Sequence, residues 1–201
     1  MPSTPRYEQA RPEDLDAVVG LHLCNLPWTL NSRAGRTQVR GLYESLLADP
    51  AASVVVARLD GAIVASAAGT SDYSRTSQRA AQRSRARLLR GVFTTSPFVT
   101  VPLMYDAWRT HRLIERIDGP YAFLLTWFTD SAARGQGVGR GVLATLVRQI
   151  SAPGRPLVVD VSDSAVDGHA AYRALGFVQV ARAPRTDILQ LDDTSPLTER
   201  T

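Results

Sequence analysis

The stretch Phe123-Leu124-Leu125-Thr126-Trp127-Phe128-Thr129 is apolar and strand-like, and five residues later the chain reads Arg134-Gly135-Gln136-Gly137-Val138-Gly139-Arg140-Gly141. Val142, Leu143 and Leu146 then follow at helical spacing. A strand that runs into a glycine-rich turn and opens a helix demands a layered α/β arrangement. It also makes an anion site, because the unpaired N–H groups of a helix start converge where the helix dipole favours negative charge. Glycines at 135, 137 and 139 keep Cβ atoms out of the way of a phosphate group. Arg134 and Arg140 can add charge-assisted bonds. Two common phosphate loops do not fit: Gly139 is followed by Arg140-Gly141 where a P-loop needs Lys-Ser or Lys-Thr. The GxGxxG/A fingerprint ends on Arg140 or Val142, depending on the glycine from which it is counted.

The rest of the chain supports a single domain spanning residues 1–201. Tyr7 to Ala10 is a short first strand, and Arg11-Pro12-Glu13-Asp14 opens a helix on which Leu15, Val18, Val19 and His22 share a face. A second helix is predicted from Arg36 to Ala48. Strands over Ser53 to Leu59 and Ala62 to Ala68 flank Asp60-Gly61, a tight-hairpin signal. Ser71 to Arg90 is polar, carries Arg75, Arg79, Arg83, Arg85, Arg87 and Arg90, and reads as an exposed insertion. Pro97 and Pro102 bracket irregular chain, and Leu103 to Ile117 reads as a helix. Beyond the glycine-rich helix come a buried strand over Pro156 to Ser162, a helix over Ala165 to Leu175, and a hairpin of Phe177 to Ala183 with Thr186 to Leu191. The expected class is α/β (α+β): a mixed central sheet of about six to seven strands with about four to five flanking helices, and an Arg-rich, partly helical insertion between the third and fourth strands.

All 23 basic residues are arginine, and the net charge of +4 suits an anionic ligand or nucleic acid equally. Aromatic residues are sparse in the arginine run, so a solvated insertion is preferred there to a nucleic-acid arm. One cysteine, Cys24, excludes an internal disulfide framework, and three histidines argue against a zinc cluster; no metal is expected. With neither a signal peptide nor an apolar run long enough to span a membrane, the sequence predicts a soluble protein of the reducing cytoplasm.

Arg134-Gly135-Gln136-Gly137-Val138-Gly139 resembles the Arg/Gln-x-x-Gly-x-Gly/Ala pattern of the GNAT superfamily of acetyl-CoA-dependent N-acetyltransferases. Ala171-Tyr172-Arg173-Ala174-Leu175-Gly176-Phe177, one helix and one strand later, resembles that superfamily's A-x-Y-x-x-x-GF ending. The resemblance covers the whole order of elements except the longer 72–118 segment. It implies that acetyl-CoA, or another acyl-CoA, is bound by Arg134, Gly135, Gln136, Gly137, Val138, Gly139 and Arg140. A backbone N–H near Phe128 or Thr129 would bond the thioester carbonyl and stabilise the oxyanion of a tetrahedral intermediate. Tyr172 would hold the sulfur and protonate the departing thiolate. The acceptor would be a primary amine, a small molecule in preference to a protein N-terminus, contacted by Trp28, Tyr43 and Tyr73. The 72–118 segment would cap that site or mediate a homodimer contact. A sensor that binds coenzyme A without turnover is the rival reading.

Deprotonating an alkyl ammonium of pKa about 10.4 at pH 7 costs roughly 4 to 5 kcal/mol, so a proton acceptor is expected. The fourth strand carries no carboxylate before Asp130, which leaves Asp72 and Asp130 as candidates, each equally suited to forming a turn. Two departures from the family pattern stand out. Asp163-Ser164 occupies the place of an asparagine that contacts the pantetheine arm, with Ser164 as a substitute ligand, and Thr129-Asp130-Ser131 replaces a Val-x-Pro ahead of the loop.

Overall fold

The computed structural model describes residues 4–80, 82, 97–152 and 154–198. Seven strands form one sheet in the order β1-β2-β3-β4-β5-β7-β6. They are β1 (Arg6–Gln9), β2 (Ala52–Leu59), β3 (Ala62–Thr70), β4 (Ala122–Thr129), β5 (Leu157–Ser162), β6 (Val178–Ala183) and β7 (Thr186–Leu191). Every neighbouring pair is antiparallel except β4 and β5, which run parallel and so require a crossover. Asp60 (φ 50) and Gly61 (φ 82) both lie in the left-handed region, as a two-residue turn that matches strand twist requires. The final hairpin inserts its second strand, β7, between β5 and β6.

The crossover is α6 (Val138–Ile150), whose Val142, Leu143, Leu146, Val147 and Ile150 are buried on one face of the sheet against Val55, Ala67, Leu124 and Val159. Burying a leucine such as Leu143 or Leu146 contributes about 1.5–3 kcal/mol. The one-turn helix α8 (Ser195–Thr198) adds Leu197 to this cluster, and α7 (Val166–Ala174) adds Tyr172. On the opposite face, α1 (Leu15–Asn25) and α3 (Arg36–Leu47), joined through the short α2 (Leu30–Arg33), cover Val54, Val56, Ala68 and Phe128. Beside them α5 (Pro97–Ile114) covers Phe123, Val158 and Ile188 through Ile114.

The segment between β3 and β4 departs from the sequence reading. A helix begins at residue 73 and is described to residue 80 (α4), where an exposed insertion was expected. Its polar residues find buried polar partners: the Thr76 hydroxyl meets that of Thr70 at 2.8 Å and donates to Asp49 at 2.9 Å, and the Arg79 guanidinium pairs with the same carboxylate. Pro97 to Pro102 is helical, not irregular. A proline at the first helical position is favoured, and Pro102 forgoes one backbone bond inside α5. Arg83, Arg85, Arg87 and Arg90 lie outside the described residues. No helix among the described residues is long and apolar enough to cross a membrane.

Candidate functional site

The glycine-rich loop joins β4 to α6. Gly135 (φ 75) and Gly137 (φ 78) take left-handed conformations that strain any other residue, and Gly137 caps the helix. Gly139 passes so close to β4 that a Cβ there would stand 2.7 Å from the Thr129 hydroxyl, and the Trp127 indole donates to the Gly139 carbonyl at 2.8 Å. The helix start is thereby clamped onto the strand. The Gly141 N–H bonds the Gly137 carbonyl, whereas the backbone N–H groups from Gly135 to Arg140 donate to no described protein group. Arg134 lies beside them, exposed and steadied by the Thr129 carbonyl (3.2 Å) and Asn25 (3.0 Å). Arg140 takes a different course: its guanidinium donates to the Pro196 carbonyl at 2.8 Å, tying α6 to α8.

Next to this loop the sheet opens. Pairing of β4 with β5 is confined to Ala122, Phe123 and Leu124 against Leu157, Val158 and Val159. On its other side β4 pairs Thr126 with Ala68 and Leu124 with Gly69, which leaves Leu125 as a bulge. The bulge bends β4 where it parts from β5, and from Leu125 onward the β5-facing edge of β4 has no strand partner.

Two side chains flank this gap. Tyr172, from α7, is buried with its ring 5.3 Å from that of Trp127 and 5.2 Å from that of Phe177, and its hydroxyl makes no hydrogen bond to a described residue. Burial, and then the charge of Asp160, push its pKa well up, so it stays protonated at neutral pH. Asp160 is the first β5 residue beyond the last paired one, and it is exposed in the middle of an otherwise buried strand. Surrounding protein, and to a lesser degree the Asp106 carboxylate, raise Asp160 to about 6. Part of the side chain reaches solvent while protein surrounds the rest, and the solvent contact screens part of the penalty.

Other predicted residues have more ordinary surroundings. Asp72 accepts the Arg75 N–H (3.0 Å) at the start of α4, and Asp130 accepts the Ala132 N–H (2.9 Å) at the short helix before the loop, so each serves as a cap. Tyr43 is a correction: it is fully enclosed, its hydroxyl meeting His22 at 2.9 Å and Thr126 at 3.2 Å, and it offers no surface to a substrate. The cause is the apolar face of α3, which turns Tyr43 into the core. Tyr73 packs on Phe123 with ring centroids 4.3 Å apart and meets His111 at 3.0 Å, near enough to Asp160 to feel its charge. Trp28 is partly buried between α1 and α2, and Ser164 is exposed in the turn before α7. The Phe128 ring packs edge-on against His22 and its N–H faces Ser66 of β3, so of the two it is Thr129 whose N–H turns to the unpaired edge of β4.

Asp160 escaped the sequence reading because the run Leu157-Val158-Val159-Asp160-Val161 reads simply as a buried strand. The signal was a carboxylate inside that run with no basic residue at a neighbouring position. Among the described residues, Asp163, His169 and Asp187 bring ligand atoms within 4.8 Å of one another. Arg182 already pairs with both carboxylates, at 3.2 Å and 2.8 Å, and holds the place a cation would take.

A sequence profile of the acetyltransferase (GNAT) family matches residues 21–177. No curated protein matches the sequence. Among solved structures, the PaiA N-acetyltransferase of Thermoplasma acidophilum in complex with coenzyme A is similar, with a TM-score of 0.61, 10% identity, and coverage of 94% of this chain and 99% of that one. AAC(6')-Iy, bound to the bisubstrate analogue CoA-S-monomethyl-acetylneamine, gives a TM-score of 0.59 at 17% identity, covering 90% of this chain and 95% of that one. The ribosomal-protein-S18-alanine N-acetyltransferase of Escherichia coli gives 0.54 at 14% identity, with 93% and 91% covered. At these identities the likeness shows the fold.

Proposed function

The chain belongs to the acetyltransferase (GNAT) family, and from that premise we propose that it moves an acetyl group from acetyl-CoA to the primary amine of a small molecule. The observation that carries this reading is the row of unpartnered amides from Gly135 to Arg140, at the start of α6 and next to the gap between β4 and β5. A diphosphate suits that row: converging donors, a positive helix end and Arg134 all favour it, and no side chain fills the space over Gly135 or Gly137. Bound acetyl-CoA would supply an acyl group already activated as a thioester.

The chain's own residues divide the remaining work. The Thr129 amide, on the free edge of β4, is offered to a carbonyl oxygen in the gap, while the Phe128 amide faces β3. The Tyr172 hydroxyl, kept protonated by burial, is a proton donor at the same gap. Ser164 stands ready on the α7 side for the cofactor's arm. On the opposite face, Trp28, Tyr73 and α5, which touches α2, bound the acceptor side, so that the 72–118 segment acts as a cap. A capped acceptor side would favour a small amine over a protein chain.

Calorimetry with CoA, and thiol release from acetyl-CoA against methylamine, benzylamine, glucosamine and a peptide with a free N-terminus, test the proposal. The expected result is CoA binding and turnover of a small amine, with Tyr172→Phe losing about 10²-fold or more in kcat while keeping CoA affinity. Absence of CoA binding would overturn the reading. Binding without turnover of any amine would favour the sensor, and turnover of the peptide alone would favour a protein acceptor.

A further inference from the structure

Three of the four buried carboxylates among the described residues of this arginine-rich chain have a guanidinium at hand: Asp14 has Arg58, Asp49 has Arg79, and Asp187 has Arg182. Asp160 has none. No ion pair engages it, and its carboxylate takes no hydrogen bond from any other described residue beyond its own backbone N–H, although it sits on a central strand of the sheet. The titratable groups electrostatically coupled to it are Asp106 from α5 and Tyr73 from the start of α4, and Tyr172 from α7 across the sheet, and none of them is cationic. Asp106 is itself occupied, accepting the Arg185 N–H at 3.3 Å and the Thr186 hydroxyl at 3.0 Å. An anionic group with solvent access, at the point where β4 and β5 part, thus lacks the guanidinium or the neighbouring donors that the rest of the protein supplies to its buried acids.

Resting on the acetyl-transfer reading above, we infer that Asp160 is a catalytic residue that draws the acceptor's ammonium into the gap and takes its proton. The position fits both tasks. Asp160 is on the face of the sheet covered by α5, whereas Tyr172 and the glycine-rich loop are on the other, and the two faces communicate only where the strands separate. An amine held at Asp160 would therefore approach from the side opposite the cofactor loop. In the step, the ammonium N–H bond breaks and a carboxyl O–H forms, which frees the nitrogen lone pair. The new N–C bond then forms and the C–S bond breaks, Tyr172 protonates the thiolate and recovers a proton from the nitrogen, which gives up its second N–H to become the amide, and the Asp160 proton leaves to solvent, so that one proton is released per turnover. A carboxylate that titrates near 6 is ionised at neutral pH and basic enough to assist. The acceptor class that follows is a compact cationic amine. An anionic amine would meet Asp160 and Asp106 together.

Asp160→Asn keeps the shape of the side chain and removes the charge. With the full chain, CoA affinity by calorimetry should be unchanged. For whichever amine of the panel is acetylated, kcat/KM should fall about 10²-fold or more and the acidic limb of its pH profile near pH 6 should vanish. In parallel, the Asp160 carboxyl ¹³C signal of the CoA-bound wild type should shift on adding benzylammonium. A variant within threefold of wild type with the same pH limb overturns the assignment, as does a carboxyl signal that ignores benzylammonium when no panel amine reacts. Failure of CoA itself to bind would instead overturn the proposed function.

Discussion

Replacing Gly137 by alanine puts a number on the grip of the α6 amides. Its φ of +78 lies in the left-handed region, and an alanine Cβ built there meets nothing within 4 Å, so the fold pays only for the backbone conformation. That cost is about 1–2 kcal/mol, offset by about 0.4–1 kcal/mol from a stiffer unfolded chain. The net is about 1 kcal/mol, a fall in Tm of about 2–4 °C for a chain of this size. Binding should suffer more. A methyl group over the amide row that disturbs one charge-assisted hydrogen bond removes about 1.5–3 kcal/mol, or about 10- to 150-fold in Kd for CoA. Gly154→Ala is the matched control: φ is +75, the Cβ again meets nothing, and the residue stands in the turn beyond the far end of α6. Calorimetric Kd and thermal melting of both variants decide the matter. If Gly137→Ala binds CoA within twofold of wild type, or if Gly154→Ala weakens it as much, the amide row is not what holds the diphosphate.

Two further outcomes concern the scaffold. His22 is buried and held down to about 4 by loss of hydration, so it is neutral when folded. The unfolded chain then takes up the extra proton, and the stability that His22 confers above about pH 6.5 is lost as pH falls toward 4, by up to about 3 kcal/mol. Asp160, raised to about 6, acts in the opposite sense across much of that window. The measure is therefore the difference in urea stability between wild type and His22→Gln, which should shrink with falling pH; a constant difference would refute it. Arg79→Ala should cost about 2 kcal/mol, below the 3–5 kcal/mol of a fully buried broken pair, because Asp49 keeps Thr76 and the Ala51 N–H. Arg75→Ala, on an exposed side chain of the same helix, should stay within about 0.5 kcal/mol, and equal losses would show that the Asp49 pair is unimportant.

Where local chemistry dictates structure, the sequence could be read directly. Asp60-Gly61 forces its hairpin, the spacing of Val142, Leu143 and Leu146 forces α6 onto the sheet, and the glycines at 135, 137 and 139 announce their own conformations. What depended on distant partners stayed hidden. Thr76 and Arg79 look like solvated insertion until Asp49, far away in sequence, is brought beneath them. Pro97 and Pro102 look like helix breakers until the first turn of α5 and the packing of Ile114 are set against them. Tyr43 looks like an available aromatic until α3 turns it toward His22 and Thr126. The bulge at Leu125 comes from register with β3, which no local pattern of β4 reveals. Asp160 became conspicuous only once β4 and β5 were seen to separate immediately before it.

The shortness of the ladder between β4 and β5 has a mechanical meaning. Strands β1 to β4 and strands β5 to β7 are joined backbone to backbone across only a few residue pairs, at one end of the seam. The other end is a slot whose free edge can accept a guest chain as though it were a missing strand. A long molecule lodged there would splice the two half-sheets together, so occupancy and rigidity should rise in step. At a hundred times its dissociation constant such a guest adds about 2.7 kcal/mol to the folded state.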